Sequence, residues 1–256
     1  MLLAIDVGNS NIAAGCVING EIVCVFRMAS DISKTEDEYT AAMKNILEFN
    51  SIDCGKFTGA VIASVVPPLT GTINRAAKML TGSDAVIVGA GVKTGLNILI
   101  DDPAQLGGDM VAAAVAVRVS YGLPVIVVDL GTATKLFVID ENASFVGGAI
   151  FPGAELSMNA LSAGTSQLPR VPIEAPKKHI SANTVDCMKS GAIFGNAAMI
   201  DGMVERFESE LGKKANIVAT GGLADGIYQH CRRDIIYDPY LILRGLEIIY
   251  DKNKKK

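Results

Sequence analysis

Asp6 and Asp129 each close an apolar run and open a turn of glycine and short polar side chains. Leu3-Ala4-Ile5-Asp6-Val7-Gly8-Asn9-Ser10-Asn11 is echoed by Ile126-Val127-Val128-Asp129-Leu130-Gly131-Thr132-Ala133-Thr134. In each copy a buried strand ends in a carboxylate and turns tightly, so that backbone N–H groups and short side chains face an anion. A carboxylate repels a bare phosphate, so the pattern makes sense only with a cation between them. Two such loops facing each other would grip the two ends of a metal-bound polyphosphate.

Gly107-Gly108-Asp109 is the next chemical candidate. An aspartate in an apolar helical region is costly to bury without a purpose. It reads either as a helix-start carboxylate satisfying free N–H groups or as a general base. In the second reading the two glycines let a substrate approach the backbone. Gly147-Gly148-Ala149-Ile150-Phe151-Pro152-Gly153 is either a strand bend or part of the site. Thr184 either caps a long helix or aims its hydroxyl at whatever lies before it. A Walker A loop is absent: Gly89-Ala90-Gly91-Val92-Lys93-Thr94 lacks the glycine before lysine. The same stretch fails as a dinucleotide fingerprint, because Thr94 stands where the last glycine belongs.

The elements that must position these residues repeat. After Asn11 the chain continues as a strand to Ile18, turns at Asn19-Gly20 and returns from Glu21 to Phe26. After Thr134 the plan recurs as Leu136 to Ile139, a polar turn at 140–143, and Ser144 to Ile150. Thr35-x-x-Glu38 is a capping box, followed by Tyr39, Met43, Ile46 and Leu47 on one helical face. Residues 60–65 read as a buried strand stopped at Pro67-Pro68, 69–80 as a helix and 85–88 as a short strand. Asp102-Pro103 predicts a helical region running to about Tyr121. In the second half, helices are expected over 155–163, 184–211 and 239–250, with a strand at 217–219 leading into Thr220-Gly221-Gly222. Residues 168–176 read as irregular.

Two βββαβα units in tandem, divided at 1–117 and 118–256, describe a duplicated α/β fold with a mixed sheet in each domain and a central cleft. That is similar to the ribonuclease H-like, actin-like ATPase arrangement of actin, sugar kinases and heat-shock ATPases.

Composition narrows the classes. The chain has 256 residues, half of them apolar, with 26 glycines and a formal charge of −4. A pI near 5.3 gives no basic footprint for nucleic acid. The one basic run, Lys252 to Lys256, reads as a solvated, frayed tail. Five scattered cysteines and two histidines make a structural zinc site improbable and suit a reducing compartment. No apolar run reaches ~18 residues, so the expectation is a cytoplasmic protein without membrane contact.

Taken in order and spacing, these motifs resemble type III pantothenate kinase. Thr184 with Ser190-Gly191 and the terminal stretch Asp238 to Leu246 join them, and the similarity runs from Met1 to about Tyr250. The resemblance implies ATP-dependent phosphorylation of pantothenate to 4′-phosphopantothenate, the first step of coenzyme A biosynthesis, by direct in-line transfer. It implies that Asp6, Val7, Gly8, Asn9, Ser10, Asn11, Ile12 and Ala13 form the phosphate loop and that Thr132 contacts ATP. Asp109 would be the proton acceptor. Ile100, Gly107, Gly108, Asp109, Met110 and Thr184 fall at the pantothenate-binding positions. Asp6 would hold Mg²⁺ through water, Asp129 would bind a monovalent cation, K⁺ or NH₄⁺, and the enzyme would be a homodimer.

Three residues depart from the family pattern. Met110 replaces an arginine, which removes a guanidinium that pairs with carboxylate or phosphate. Ile100 stands where a tyrosine is usual. Lys135 takes the place of a threonine and adds a cation beside the phosphate loop. The nucleotide loops alone also fit a same-fold kinase of a sugar or another small alcohol, or a non-catalytic nucleotide-dependent regulator.

Overall fold

The computed structural model describes residues 1–254. It opens with three consecutive antiparallel strands, β1 (Leu2–Val7), β2 (Asn11–Ile18) and β3 (Glu21–Ala29). Asn19 and Gly20 both hold positive φ, the backbone that a two-residue hairpin turn requires. Helix α1 (Glu36–Phe49) starts with the reciprocal Thr35–Glu38 capping box and buries Tyr39, Met43 and Leu47. Strand β4 (Gly59–Ser64) lies parallel to β1, and α2 (Pro67–Thr81) follows it. The two prolines do not merely stop the strand. They occupy the first turn of α2, where a missing N–H costs nothing. The short strand β5 (Val86–Ile87) completes a sheet of order β3-β2-β1-β4-β5. Leu3, Ile5 and Ile62 meet Tyr39, Met43, Leu69 and Ile73 in one core.

The second sheet takes β6 (Asn97–Ile98), which precedes helix α3 (Gly108–Ser120) in the chain. Then come β7 (Val125–Leu130), β8 (Ala133–Ile139) and β9 (Ser144–Pro152), again a three-stranded antiparallel run. Helices α4 (Ala154–Gly164), α5 (Thr184–Ser190) and α6 (Asn196–Leu211) are followed by β10 (Asn216–Thr220), α7 (Asp225–Tyr228) and β11 (Ile236–Tyr237). The sheet order is β11-β10-β7-β8-β9-β6, with β10 parallel to β7 as β4 is to β1. Ile126, Val128 and Leu130 pack with Ile193, Ile200 and Val204 in a second core. The last helix, α8 (Leu241–Asn253), packs on β1 and β4 of the first sheet, and its Leu243 side chain sits against Gly15.

The chain therefore forms two compact units. One is Met1–Leu96, Asp101–Ala116 and Tyr240–Lys256, and the other is Asn97–Ile100 and Val117–Pro239.

Several local expectations need correction. Asp102 caps only a single 3₁₀ turn, Pro103–Gln105. Leu106 is then extended, and α3 starts at Gly108, which places Asp109 in its first turn. The expected helix over 184–211 is divided by a π-helical turn, Gly191–Gly195, bounded by the two glycines that weaken the α-helical ladder there. Its N-cap is Asn183, whose side chain accepts from the Asp186 N–H, so Thr184 is the first helical residue rather than the cap. Lys252 and Asn253 are not a frayed tail. Lys252 Nζ donates to the Thr94 carbonyl at 3.0 Å and Asn253 Nδ2 to the Lys93 carbonyl at 2.9 Å. The end of that run, 255–256, lies outside the described residues.

Candidate active site

In the first unit the site gathers at the carboxyl ends of β1 and β4, where parallel strands of open α/β sheets present ligands. Asp6 is half-buried near the end of β1, opposite Ala13 on β2 and Ala63 on β4. The following turn is held from both sides. Gly8 N–H donates to the Asn11 carbonyl at 3.0 Å, and Ser30 Oγ donates to the Gly8 carbonyl at 2.5 Å. Asn9, Ser10 and Asn11 are left exposed, while the Val7 and Ile12 side chains are fully buried in the core. A nucleotide can therefore meet only the backbone of those two. Ser30 escaped the sequence reading, because nothing in its spacing ties it to Gly8.

Asp109 reaches the same end of this sheet. Gly108 packs on Ala63, the register partner of Asp6, and a methyl group there would stand 3.4 Å from the Ala63 Cβ. At Gly107 a Cβ would come within 2.5 Å of Asp109 Oδ1. The two glycines thus let a buried carboxylate fold back over its own chain. Asp109 is 8% exposed, and its Oδ1 accepts the Met110 N–H at 2.8 Å. The carboxylate thus satisfies an N–H at the start of α3, and its neighbour Gly108 packs on the register partner of Asp6. Met110 is half-buried in the next position.

In the second unit Asp129 and Lys135 lie directly opposite each other on β7 and β8. Lys135 Nζ is 2.7 Å from Asp129 Oδ2, and the two side chains are only 17% and 10% exposed. The turn between them closes with Gly131 N–H donating to the Ala133 carbonyl at 3.1 Å, which leaves Thr132 exposed. Two later glycines back this turn. At Gly153 a Cβ would meet the Gly131 and Thr132 carbonyls at 2.4 Å, so only glycine allows that approach. Gly221, at φ +100°, lies as close to the Leu130 backbone. Within the Gly-rich segments read from the sequence, Gly153 and Gly221 therefore support the second turn.

Thr184 is exposed and lines a cavity of about 500 Å³ with Met158, Leu161, Leu168, Cys187 and Met188. Ile100 is half-buried in the second unit and is not among the residues lining that cavity. Burial pushes the Cys16 and Cys231 thiols up to about 12, so neither is poised as a nucleophile.

Among the described residues no cluster of three or more His, Cys, Asp or Glu is arranged to hold a metal ion. A single carboxylate such as Asp6 suits Mg²⁺ carried in on phosphates and keeping its waters. Asp129 is different. Its carboxylate already faces an ammonium, so this donor set does not fit a second monovalent cation.

A type III pantothenate kinase family model matches residues 2–206. The type III pantothenate kinase of Moorella thermoacetica is 42% identical over 253 residues, covering 99% of this chain and 100% of its own. That of Halalkalibacterium halodurans is 39% identical with the same coverage. Among solved structures, a ROK family glucokinase from Streptomyces griseus in complex with glucose and AMPPNP matches with a TM-score of 0.54 at 14% identity, covering 98% of each chain. That likeness shows the shared actin-like ATPase fold.

Proposed function

The chain belongs to the type III pantothenate kinase family, and from that membership we propose how its own residues transfer the phosphoryl group. The reaction is the ATP-dependent phosphorylation of pantothenate to 4′-phosphopantothenate, which opens coenzyme A biosynthesis. The observation that supports the residue assignment is the packing of Gly108, the residue before Asp109, on Ala63, the register partner of Asp6. That packing supports reading Asp109 as the base for a phosphate bound at the turn after Asp6.

In our reading the turn at residues 8–11 receives phosphate oxygens through backbone N–H groups and the Asn9, Ser10 and Asn11 side chains. The backbones of Val7, Ile12 and Ala13 shape that turn from β1 and β2. Thr132 offers its hydroxyl from the second turn. Mg²⁺ bound with ATP supplies charge neutralisation at the phosphates, with Asp6 as its protein ligand through water. Asp109 accepts the proton of pantothenate's primary hydroxyl as that oxygen bonds to the γ-phosphorus and ADP departs. Gly107, Gly108 and Met110 border the acceptor, and Ile100 and Thr184 contribute to its binding. Removal of the proton contributes ~10²–10⁴-fold, and positioning supplies most of the rest.

We also place the enzyme in the cytosol, as a homodimer. Five free cysteines, among the described residues, fit a reducing compartment. No helix among the described residues is long and apolar enough to cross a membrane. Leu156, Leu161, Ile180 and Val185 are exposed on or beside α4 and α5, an apolar surface that a second copy would cover.

The test is coupled ADP release with pantothenate, with glucose and with no acceptor. Pantothenate-dependent release is expected. Release driven by glucose, or no acceptor-dependent release at all, would overturn the assignment.

A further inference from the structure

We propose that Lys135 is a built-in monovalent cation. It supplies at Asp129 the positive charge that the family resemblance assigns to K⁺ or NH₄⁺, so this enzyme works without either ion. The proposal rests on the kinase reading above and sharpens it at one residue.

The two copies of the aspartate turn make the argument by comparison. In the first, the residue opposite Asp6 is Ala13, which brings no charge. In the second, the residue opposite Asp129 is Lys135, and its ammonium reaches the carboxylate at 2.7 Å. Both second-copy side chains are largely buried, the setting in which a carboxylate most needs a counter-charge. A phosphate approaching Thr132 meets a turn whose aspartate is already neutralised. An uncompensated Asp129 would repel it.

An ammonium group and K⁺ are close in size and in their preferred distance to oxygen. A potassium ion at Asp129 would have to displace Lys135 and leave a cation largely buried beside it. Two like charges on one carboxylate oppose each other, so the covalent ammonium excludes the free ion. The lysine costs no binding step, because β8 holds its backbone opposite Asp129 at every salt concentration.

The experiment compares wild type with Lys135→Thr in choline chloride, potassium chloride and ammonium chloride at one ionic strength. Pantothenate-dependent ADP release and the Kd of a non-hydrolysable ATP analogue are both read. Wild type is expected to change by less than about two-fold between salts, since screening is held constant. Lys135→Thr is expected to lose on the order of ten-fold or more in choline, through the uncompensated carboxylate, and to recover in K⁺ or NH₄⁺. Activation of wild type by K⁺ to about that extent would overturn the proposal, and so would a variant as active as wild type in choline. If Lys135→Thr does not fold, the wild-type comparison decides alone. If no acceptor drives ADP release in any salt, the kinase reading fails, while analogue binding still reports whether wild type needs the ion.

Discussion

At Asp109 two roles share one side chain, and they separate under substitution. The carboxylate accepts the Met110 N–H at the start of α3, and an amide oxygen can do that equally well. Only the carboxylate takes up a proton. Asp109→Asn should therefore leave ATP-analogue affinity within a few-fold while kcat falls by ~10²–10⁴. Full turnover in that variant, measured by ADP release, would remove the base role. Thr134 offers the opposite experiment. Its Oγ1 is buried without a hydrogen-bond partner among the described residues, so the hydroxyl loses its water for nothing in return. Thr134→Val keeps the shape and should stabilise the protein by about 1 kcal/mol. For a chain of this size that raises Tm by roughly 2–4 °C. A lower Tm in a thermal melt would mean that the hydroxyl has a partner in solution.

At the scale of elements, α3 carries Asp109 and is placed by a close approach to α8. A Cβ on Gly245 would stand 1.8 Å from the Ala112 carbonyl, a distance no side-chain motion relieves. Gly245→Ala should force the helices apart at a cost of about 1–3 kcal/mol. Because Ala112 lies one turn beyond Asp109, kcat should fall further than KM rises, and a variant with normal kinetics would show that α3 is positioned otherwise. The sequence announced the six long strands β1–β3 and β7–β9, the capping box and the turn glycines, because each is a local pattern. It did not announce β6 or β11, two-residue strands that exist only through a distant partner. The same limit hid what the glycines face. The local pattern around Gly153, Gly221 and Gly245 does not reveal that each is needed for a backbone remote in sequence. The direction of Lys135 was within reach. A hairpin that pairs Leu130 with Thr134 must pair Asp129 with Lys135, so counting register outward from the turn puts the ammonium opposite the carboxylate.

For the whole molecule, a chain with net charge −4 that handles anionic substrates must concentrate its favourable charge locally, and acid then acts on stability through a few buried carboxylates. Glu208 on α6 is the clearest of them. Burial by itself would raise its pKa, but Lys214, Arg233 and the Ala215 N–H all hold the charged form, and the carboxyl ends below the usual range. An unfolded glutamate titrates near ~4.3. The folded group titrates lower, so above the unfolded value its contribution to stability is complete. As pH falls through the unfolded value toward the folded one, the unfolded chain takes up the proton first and stability drains away. Glu208→Gln should lose about 2 kcal/mol at neutral pH, because Arg233 then lacks its charged partner. It should also flatten the decline in the urea midpoint as pH falls from neutral through and below the ordinary glutamate range, because the wild-type carboxyl is held below that range. An unchanged slope in the variant would mean that Glu208 is paired as well in the unfolded chain as in the native one, and that acid acts on this protein through other carboxylates.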